Sequence, residues 1–453
     1  MNGQPVANLR LTRGQFIRSA GTVAAGFAAG SVLAACGGSS SKTSRPAEVT
    51  VMWNSGEFSK ADIKAFESQH PNIKIKFIED NPTKFAAMLA AGTPPDIFRV
   101  QAPSIPQLIA RKIIRPLTSY FNASDVLKPA DLASPNDYYK WDGKAIGSGD
   151  IYGMVKDWSP DFTLFLYTQA FKDAKVDVPS PTQRLTFADV KQLAGELATT
   201  QRGGRPAYRA FVHSNDYGWF ERVVMNLLAE KNQSLYADDF TSVNLTNPAA
   251  VEILQYFFDV SKAKWDIDPR NPSSSWGGQE FTNGKVAMVQ YGYWFSAMAE
   301  SKVTKGKVVM LPAPTWAGVP RDPTITATGG VISARAKNPD AAWEVYDYYM
   351  GRKPAQDRAK SGWGVPALKS FYEMMPTGTP LQQQAQKVVQ EEIGLGTPPL
   401  KFNPYLSETA FNDVYLKHLQ TALKGDIPFT EMVSRVQGEV NTLITEGKSR
   451  IGG

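Results

Sequence analysis

The sequence predicts an α/β protein in which helices cover a mostly parallel sheet. In residues 48–100, three segments with the alternating hydrophobicity of strands are separated by two segments with helical spacing. Strand, helix, strand, helix and strand within roughly 50 residues are typical of a parallel sheet wrapped by helices. The length of 453 residues is enough for two or three domains with cores of their own.

The first five elements follow from local patterns. They are a strand over 48–53, a helix over 59–70, a strand over 73–78, a helix over 83–91 and a strand over 96–100. Alternation of apolar and polar residues marks the strands, and apolar residues three or four apart mark the helices. Pro71 ends the first helix, and the Gly-Thr-Pro-Pro stretch over 92–95 ends the second.

The same alternation of strands and helices continues without an internal repeat. The predicted elements are strands over 162–167 and 285–291, and helices over 187–199, 220–231, 249–264, 339–350 and much of 407–445. Asn247 and Pro248 are a good N-cap and first-turn pair for the helix that follows them.

The first 35 residues have the pattern of a secretory signal peptide. A basic start with Arg10, Arg13 and Arg18 precedes an uncharged stretch rich in Ala, Gly and Val, which is too short and small-sided for a good membrane span. The stretch ends in Leu-Ala-Ala followed by Cys36 and resembles the lipobox of bacterial lipoproteins, which implies a lipid-modified Cys36. Residues 36–47 are expected to be a flexible tether.

Two export routes stay open. The segment Thr-Arg-Gly-Gln-Phe-Ile-Arg over 12–18 resembles the twin-arginine export motif, but Gly14 stands where the second arginine is expected. The absence of any cysteine besides Cys36 is consistent with an exported fold that needs no disulfide.

Composition excludes several classes of function. The net charge is +6 and the three leader arginines account for half of it, so the rest is too weakly basic for a nucleic-acid-binding protein. Three histidines and one cysteine leave little material for a transition-metal site. We therefore expect no metal, no cofactor and no nucleic-acid partner. We also expect the protein to be a monomer.

Seven segments together resemble the extracellular solute-binding proteins of sugar-type ABC importers. They are 66–75, Ala-Ala-Gly-Thr-Pro-Pro-Asp-Ile-Phe over 90–98, 156–171, Phe-Thr-Asn-Gly-Lys-Val-Ala-Met with Tyr-Gly and Trp over 281–294, Gly-Gly at 329–330, Asn-Pro-Asp-Ala-Ala-Trp over 338–343, and Gly-Val-Pro-Ala over 364–367. Each is a weak signal alone. In this order, behind a lipobox, they cover nearly the whole mature chain.

The resemblance implies a two-lobe periplasmic-binding-protein-like fold with hinge crossovers. Lobe one is expected to hold 48–157 and 286–326, and lobe two 158–285 and 327–453. A carbohydrate bound between the lobes would favour their closure. The closed form would then deliver the sugar to the ABC permease subunits in the membrane, near which the lipid anchor holds the protein.

Ligand-binding residues are expected at the carboxyl ends of strands, where ligands of open α/β sheets bind. A sugar offers C–H faces to aromatic rings and hydroxyls to planar donors and acceptors. The predicted residues are Trp53, Asn54, Glu57, Asp80, Asp157, Trp158, Trp219, Trp276, Tyr291, Trp294, Gly329, Gly330 and Trp363. The two glycines are expected to let the backbone approach the ligand, whereas Trp141, Trp265 and Trp343 are expected to pack in the core.

Three other readings remain. An exported carbohydrate-active enzyme would need paired carboxylates, but no nucleophile elbow, zinc-binding helix or phosphate loop is present in the sequence. A binding protein for a polyamine could cage a cation with aromatic rings and Glu57, Asp157 and Asp216, and one for a glycerophosphodiester would want converging Arg or Lys. A non-transporting adhesion or sensor lipoprotein could use the same scaffold.

Overall fold

The computed structural model describes residues 46–144, 146–202, 205–213, 218–273 and 275–451. The predicted signal peptide over 1–35, Cys36, the tether as far as residue 45 and Asp216 lie outside these residues. Residues Pro46–Gly453 form one compact unit.

Strands and helices alternate along the described chain. The strands are β1 (Ala47–Trp53), β2 (Ile73–Glu79), β3 (Ile97–Val100), β4 (Lys140–Trp141), β5 (Asp150–Ile151), β6 (Gly153–Val155), β7 (Asp157–Trp158), β8 (Leu164–Tyr167), β9 (Gln201–Arg202), β10 (Arg205–Pro206), β11 (Arg209–Val212), β12 (Val286–Gln290), β13 (Val308–Leu311), β14 (Gly329–Ile332) and β15 (Val365–Pro366). The helices are α1 (Lys60–Gln69), α2 (Pro82–Ala90), α3 (Ile105–Ala110), α4 (Thr118–Ala123), α5 (Thr168–Ala174), α6 (Phe187–Leu197), α7 (Phe220–Glu230), α8 (Pro248–Lys262), α9 (Gly277–Thr282), α10 (Ser296–Ala299), α11 (Pro339–Gly351), α12 (Lys353–Ser361), α13 (Pro380–Gly394), α14 (Glu408–Leu423) and α15 (Phe429–Ile451). Among the residues described, none of these helices combines the length and apolarity needed to cross a membrane.

The predicted helix starts are explained by capping. Ser59 and Asp62 form a capping box at the start of α1, in which each side chain accepts a hydrogen bond from the other residue's backbone. Asn247 accepts a hydrogen bond from the backbone N–H of Ala250, and Pro248 occupies the first turn of α8. The predicted cap of α8 is thus confirmed.

The first sheet has the strand order β2–β1–β3–β14–β6. The strand β1 is parallel to both β2 and β3, whereas β14 is antiparallel to β3 and β6. The helix α11 packs on β1 and β14 and also contacts α1. We call this sheet and its helices lobe one.

The second sheet has the strand order β11–β12–β8–β13. The strands β11 and β12 are parallel, and β8 is antiparallel to β12 and β13. Every residue of β12 and β8 is buried. This sheet is therefore covered on both faces, by helices that include α6, α9 and α13. We call this sheet and its helices, with α7, α8, α14 and α15, lobe two.

The strand pairing differs from the expected division of the chain between the lobes. Residues 286–326 were expected in lobe one, but β12 and β13 pair with β8 in lobe two. Residues 327–453 were expected in lobe two, but β14 pairs with β3, and α11 packs on the same sheet. The chain therefore enters lobe two near residue 158, returns to lobe one before β14, and enters lobe two again at α13, which packs on β13.

Two of these crossings are tied together by Asp161. Its Oδ2 accepts hydrogen bonds from the backbone N–H groups of Ile325 at 2.8 Å and Thr326 at 3.0 Å, and its Oδ1 accepts one from the hydroxyl of Ser159 at 2.6 Å. Asp161 is almost fully buried, and a buried carboxylate needs such donors. The strands β7 and β15 pair beside them. These contacts fix the backbone where the lobes join.

Candidate functional site

The site lies at the ends of strands from the two sheets, where the loops that follow these strands meet. In lobe one, β1 and β3 end at Trp53 and Val100, and β14 starts beside Val100. In lobe two, β12 ends at Gln290, and the chain then turns through Tyr293–Phe295. Carboxyl ends of parallel strands are the usual ligand side of an open α/β sheet.

Five of the predicted residues form an aromatic cluster, defined as Trp219, Trp276, Tyr291, Trp294 and Trp363. The ring centroid of Trp294 is 5.3 Å from that of Tyr291, 6.2 Å from that of Trp276, 6.5 Å from that of Trp219 and 6.3 Å from that of Trp363. The rings of Trp276 and Trp294 are nearly parallel, with an interplanar angle of 25°. Trp294 is thus the centre of the cluster.

The cluster is built from both lobes. Trp219 and Trp276 directly precede α7 and α9, and Trp294 follows β12, so these three belong to lobe two. Trp363 follows α12, which packs on α11 of lobe one, and it is 36% exposed. Contact between Trp294 and Trp363 therefore joins the two lobes.

Local glycines make room for these rings. A Cβ added at Gly278 would lie 2.2 Å from the ring of Trp276, so this ring lies directly over the glycine. Gly362 ends α12 in the left-handed conformation, with φ of 72°, which turns the chain into Trp363. A Cβ at Gly364 would lie 2.9 Å from Cβ of Asp157, so the loop of Trp363 rests against the crossing.

Three more predicted residues, Glu57, Asp80 and Asp157, form a charged cluster with Arg99 and Lys156, which were not predicted as site residues. Glu57 accepts hydrogen bonds from Nε of Arg99 at 3.1 Å and from Nε1 of Trp53 at 3.0 Å, and Nζ of Lys156 is 3.4 Å from its Oε1. Lys156 is also ion-paired with Asp157, and Arg99 lies 3.7 Å from Oδ2 of Asp80. Every carboxylate of the cluster therefore faces a cation.

The pKa values of these acids are shifted in opposite directions, depending on whether burial or the neighbouring cations have the larger effect. Burial alone would raise the pKa of Glu57, but the charges of Lys156 and Arg99, together with the hydrogen bonds, lower its pKa to about 2. Burial raises the pKa of Asp157, and the charge of Lys156 only partly offsets this. Burial likewise raises the pKa of Asp80 despite Arg99. Glu57 is thus firmly ionised and serves as the anchor of the charged cluster.

Three predicted residues have packing roles instead of a place on an open cleft. Trp53 is 1% exposed, and its ring meets that of Tyr349 edge-on at 4.9 Å. A Cβ at Gly330 would lie 2.9 Å from the ring of Trp53, and one at Gly329 would lie 2.0 Å from the carbonyl oxygen of Met154. The two glycines are required because side chains and backbone fill the space beside β14. A contact between the backbone of β14 and a ligand is not needed to explain them.

Asn54 and Trp158 have backbone roles. Asn54 is exposed and accepts a hydrogen bond from the backbone N–H of Gly56 at 2.8 Å, which shapes the loop after β1. Trp158 is buried at the crossing and donates from Nε1 to the carbonyl oxygen of Pro366 at 3.1 Å. Trp158 thus stabilises the pairing of β7 with β15.

Sequence reasoning missed Arg222, which lies one turn beyond Trp219. Arg222 is 2% exposed. Its Nη2 donates to Oε1 of Gln101, at the end of β3, at 2.9 Å. Its guanidinium also pairs with Glu408 of α14 and donates to the carbonyl oxygen of Ile325, and it lies 5.5 Å from the ring centroid of Trp219. No local motif marks it, since its hydrogen-bond partners are 103 or more residues away in the sequence.

The fold and the site together define a two-lobe α/β binding protein, with one aromatic site contributed by both lobes. Residues 53–356 match the family model of the bacterial extracellular solute-binding proteins. This match covers well over half of the chain, and the protein belongs to that family.

Several solved structures share the fold. An ABC substrate-binding protein from Listeria monocytogenes in complex with cycloalternan is 21% identical, with a TM-score of 0.73 over 88% of this chain and 99% of that one. The GacH receptor of Streptomyces glaucescens is 18% identical, with a TM-score of 0.66 over 88% and 99%. Maltose-bound MalE3 of T. maritima is 16% identical, with a TM-score of 0.68 over 88% and 100%. These likenesses confirm the predicted two-lobe α/β fold.

Proposed function

We propose that the protein is the substrate-binding component of an ABC importer and captures a sugar or oligosaccharide on the aromatic cluster. The observation that carries this proposal is the contact of Trp294 with Trp219, Trp276 and Trp363, which gathers flat apolar faces from both lobes. Such faces suit the C–H surface of a pyranose ring.

Polar groups in the aromatic cluster and next to it suit the hydroxyls of a sugar. Nε1 of Trp294 and the hydroxyl of Tyr293 are buried and have no hydrogen-bond partner among the described residues. An unmet buried donor costs free energy, so a ligand that offers oxygen acceptors gains from pairing with it. A neutral polyhydroxyl compound meets this need without adding a charge.

The charged cluster argues against a charged ligand. Glu57 and Asp157, which could have caged a polyamine, are paired with Arg99 and Lys156. These same cations, and Arg222 with Glu408, are consequently not available for a phosphodiester. The neutral sugar is therefore preferred to the polyamine, to the glycerophosphodiester and to an exported enzyme with free catalytic carboxylates.

The similar structures support a carbohydrate. The protein from Listeria monocytogenes is described in complex with cycloalternan, the GacH receptor in complex with acarbose, and MalE3 bound to maltose. By this analogy we assign oligosaccharide capture between the lobes to the present chain, with closure favoured by a ligand that bridges them. The closed monomer would then dock on the permease.

The deciding experiment is calorimetric titration of residues 46–453 with malto- and manno-oligosaccharides, a glycerophosphodiester and a polyamine. The expected result is saturable binding of one carbohydrate, with the sugar recovered unchanged. Binding of only the phosphodiester or the polyamine would overturn the sugar assignment, and consumption of the sugar would reveal an enzyme.

The proposed place of action is the outer face of the cell membrane, with Cys36 as the lipid attachment site. A single acyl chain binds membranes only marginally, whereas a diacylated cysteine would hold the protein near its permease. In cells, the variant Cys36→Ser is expected to lose incorporation of labelled fatty acid and to leave the membrane fraction. Retention of the label in that variant would refute lipidation at Cys36.

A further inference from the structure

A cavity of about 540 Å³ lies between the lobes and shares no lining residue with the aromatic or charged cluster. Trp141 and Ile146 of lobe one form one wall, and Met225, Phe240 and Phe402 of lobe two form the other. Ligand cavities of this size, with mostly apolar walls, accommodate a small organic molecule.

The helix α7 separates this cavity from the aromatic cluster. Trp219, a member of the aromatic cluster, stands just before the first turn of α7, and Met225 lines the cavity about two turns later. Between them, Arg222 bonds to Gln101 across the lobes. The cavity and the aromatic cluster are thus separate sites that both contact α7.

The half-buried Arg321 lines the cavity and has one buried N–H group that is not hydrogen-bonded to any described residue. Nε of Arg321 is buried and has no hydrogen-bond partner among the described residues, and burial lowers the pKa of this guanidinium. The nearby carboxylate of Glu230 accepts hydrogen bonds from the backbone N–H groups of Trp316 and Ala317 and forms no ion pair with Arg321 among those described. The negative charge of Glu230 acts on Arg321 from nearby, but no carboxylate among the described residues accepts a hydrogen bond from the buried Nε of Arg321, and a buried N–H needs such an acceptor.

The other charged residues of the lining are mostly cationic. Lys144 and Lys401 line the cavity and are exposed, and Asp238 is the one acidic residue among the described lining residues. The lining as a whole is therefore complementary to an anion.

We infer that this cavity binds a small organic carboxylate with an apolar body. The carboxylate pairs with the guanidinium of Arg321, whose planar fork suits a carboxylate. The apolar body lies against Trp141, Phe240 and Phe402. A neutral sugar would leave Arg321 unpaired, so this site and the sugar site select different chemistry.

The test is calorimetric titration of residues 46–453 with octanoate and, separately, with 1-octanol. We expect octanoate to bind saturably at one site and more tightly than octanol. Arg321→Gln is expected to weaken octanoate binding by about tenfold to a hundredfold, because it removes a hydrogen-bonded charge pair. The control Arg435→Gln, on the exposed face of α15, is expected to leave the affinity unchanged.

The proposal fails if wild-type protein shows no saturable binding of octanoate, if octanol binds as tightly, or if Arg321→Gln binds octanoate as wild type does. Should that variant not fold, NMR of ¹⁵N-labelled indoles in wild type decides: octanoate must shift the Trp141 signal, assigned with Trp141→Phe, and its failure to do so overturns the site. Trp294→Ala is expected to keep its octanoate affinity, which separates this inference from the proposed sugar function.

Discussion

At the scale of single residues, Trp294 is where the two lobes share an aromatic surface. It touches Trp219, Trp276 and Tyr291 of its own lobe and Trp363 of the other. A ring placed at the centre of such a group contributes contact area to any ligand that lies on either side of it. Its loss should therefore affect ligand affinity more than stability.

Trp294→Ala is expected to weaken sugar binding by about tenfold to a hundredfold, or about 1.4–2.8 kcal/mol, because a stacking face and an indole donor are lost together. The measurement is calorimetric titration with the sugar that wild type binds. The control is Trp265→Phe, at a half-buried tryptophan that packs beside Gly195, and it should bind like wild type. Equal affinities for Trp294→Ala and wild type would remove Trp294 from the site.

The lowered pKa of Glu57 leads to a second prediction at this scale, on the pH dependence of stability. Its ordinary pKa of 4.5 falls to about 2 in the folded protein, so below pH 4.5 the unfolded chain takes up a proton that the folded chain refuses. The stabilisation from this residue is thus complete above about pH 4.5 and is lost as the pH falls towards 2. Its full size is about 3 kcal/mol.

Glu57→Gln should accordingly lower the free energy of unfolding at pH 7 by about 3 kcal/mol, since Arg99 and Lys156 lose their shared partner. Urea denaturation between pH 7 and pH 3 measures this. The gap between wild type and variant should narrow below pH 4.5. A gap that stays constant over this range would show that Glu57 is not the group whose ionisation is linked to folding.

At the scale of elements, β14 shows how a glycine pair fixes a strand in a crowded sheet. Gly329 pairs with Val100 on one side and Val155 on the other. The atoms beside its Cα include the hydroxyl of Tyr139 at 2.6 Å from an added Cβ. The strand can lie between β3 and β6 only because its first residue has no side chain.

Gly329→Ala is expected to lower the free energy of unfolding by about 1–3 kcal/mol, because backbone atoms of β6 cannot move aside without breaking the ladder. The matched control is Gly438→Ala on the exposed side of α15, where an added Cβ has nothing within 4 Å. That change should stabilise the protein by about 0.5–1 kcal/mol. Thermal and urea unfolding would show changes in the free energy of unfolding of opposite sign for the two variants. Changes of the same sign would refute the packing argument.

The elements themselves could be predicted from the sequence, and their partners could not. Alternation and capping located β1, β2 and α8 within about two residues. Nothing local shows that β14 joins β3 across more than 200 residues, so the expected lobe boundaries differed from the strand pairing. The polar loops around Trp276 and Trp294 pointed to a surface role, whereas the burial of Trp53 depends on Tyr349 and has no local signal.

At the scale of the whole molecule, Arg222 links the two lobes beside the aromatic cluster. It joins α7 and α14 of lobe two to Gln101 of lobe one and to Ile325 at a crossing. Since Asp161 ties the same crossing to the first one, motion of one lobe against the other must break the bond between Arg222 and Gln101 or carry the crossings with it. This bond should therefore bias the lobes towards the arrangement described here.

Gln101→Ala removes the bond between lobes and leaves Arg222 paired with Glu408. We expect the ligand-free variant to have a larger radius of gyration by small-angle X-ray scattering than wild type. We also expect its sugar affinity to fall about fivefold to tenfold, because a hydrogen bond to a charged group no longer favours the arrangement described here, in which Trp294 and Trp363 are in contact. Saturating sugar should restore the wild-type dimensions, since ligand contacts then hold the lobes together.

The control is Gln192→Ala, which removes the bond to Glu196 on α6. It should change neither the radius of gyration nor the sugar affinity. If Gln101→Ala matches that control in both measurements, the bond between Arg222 and Gln101 does not hold the lobes in this arrangement, and only the crossings between the lobes can do so.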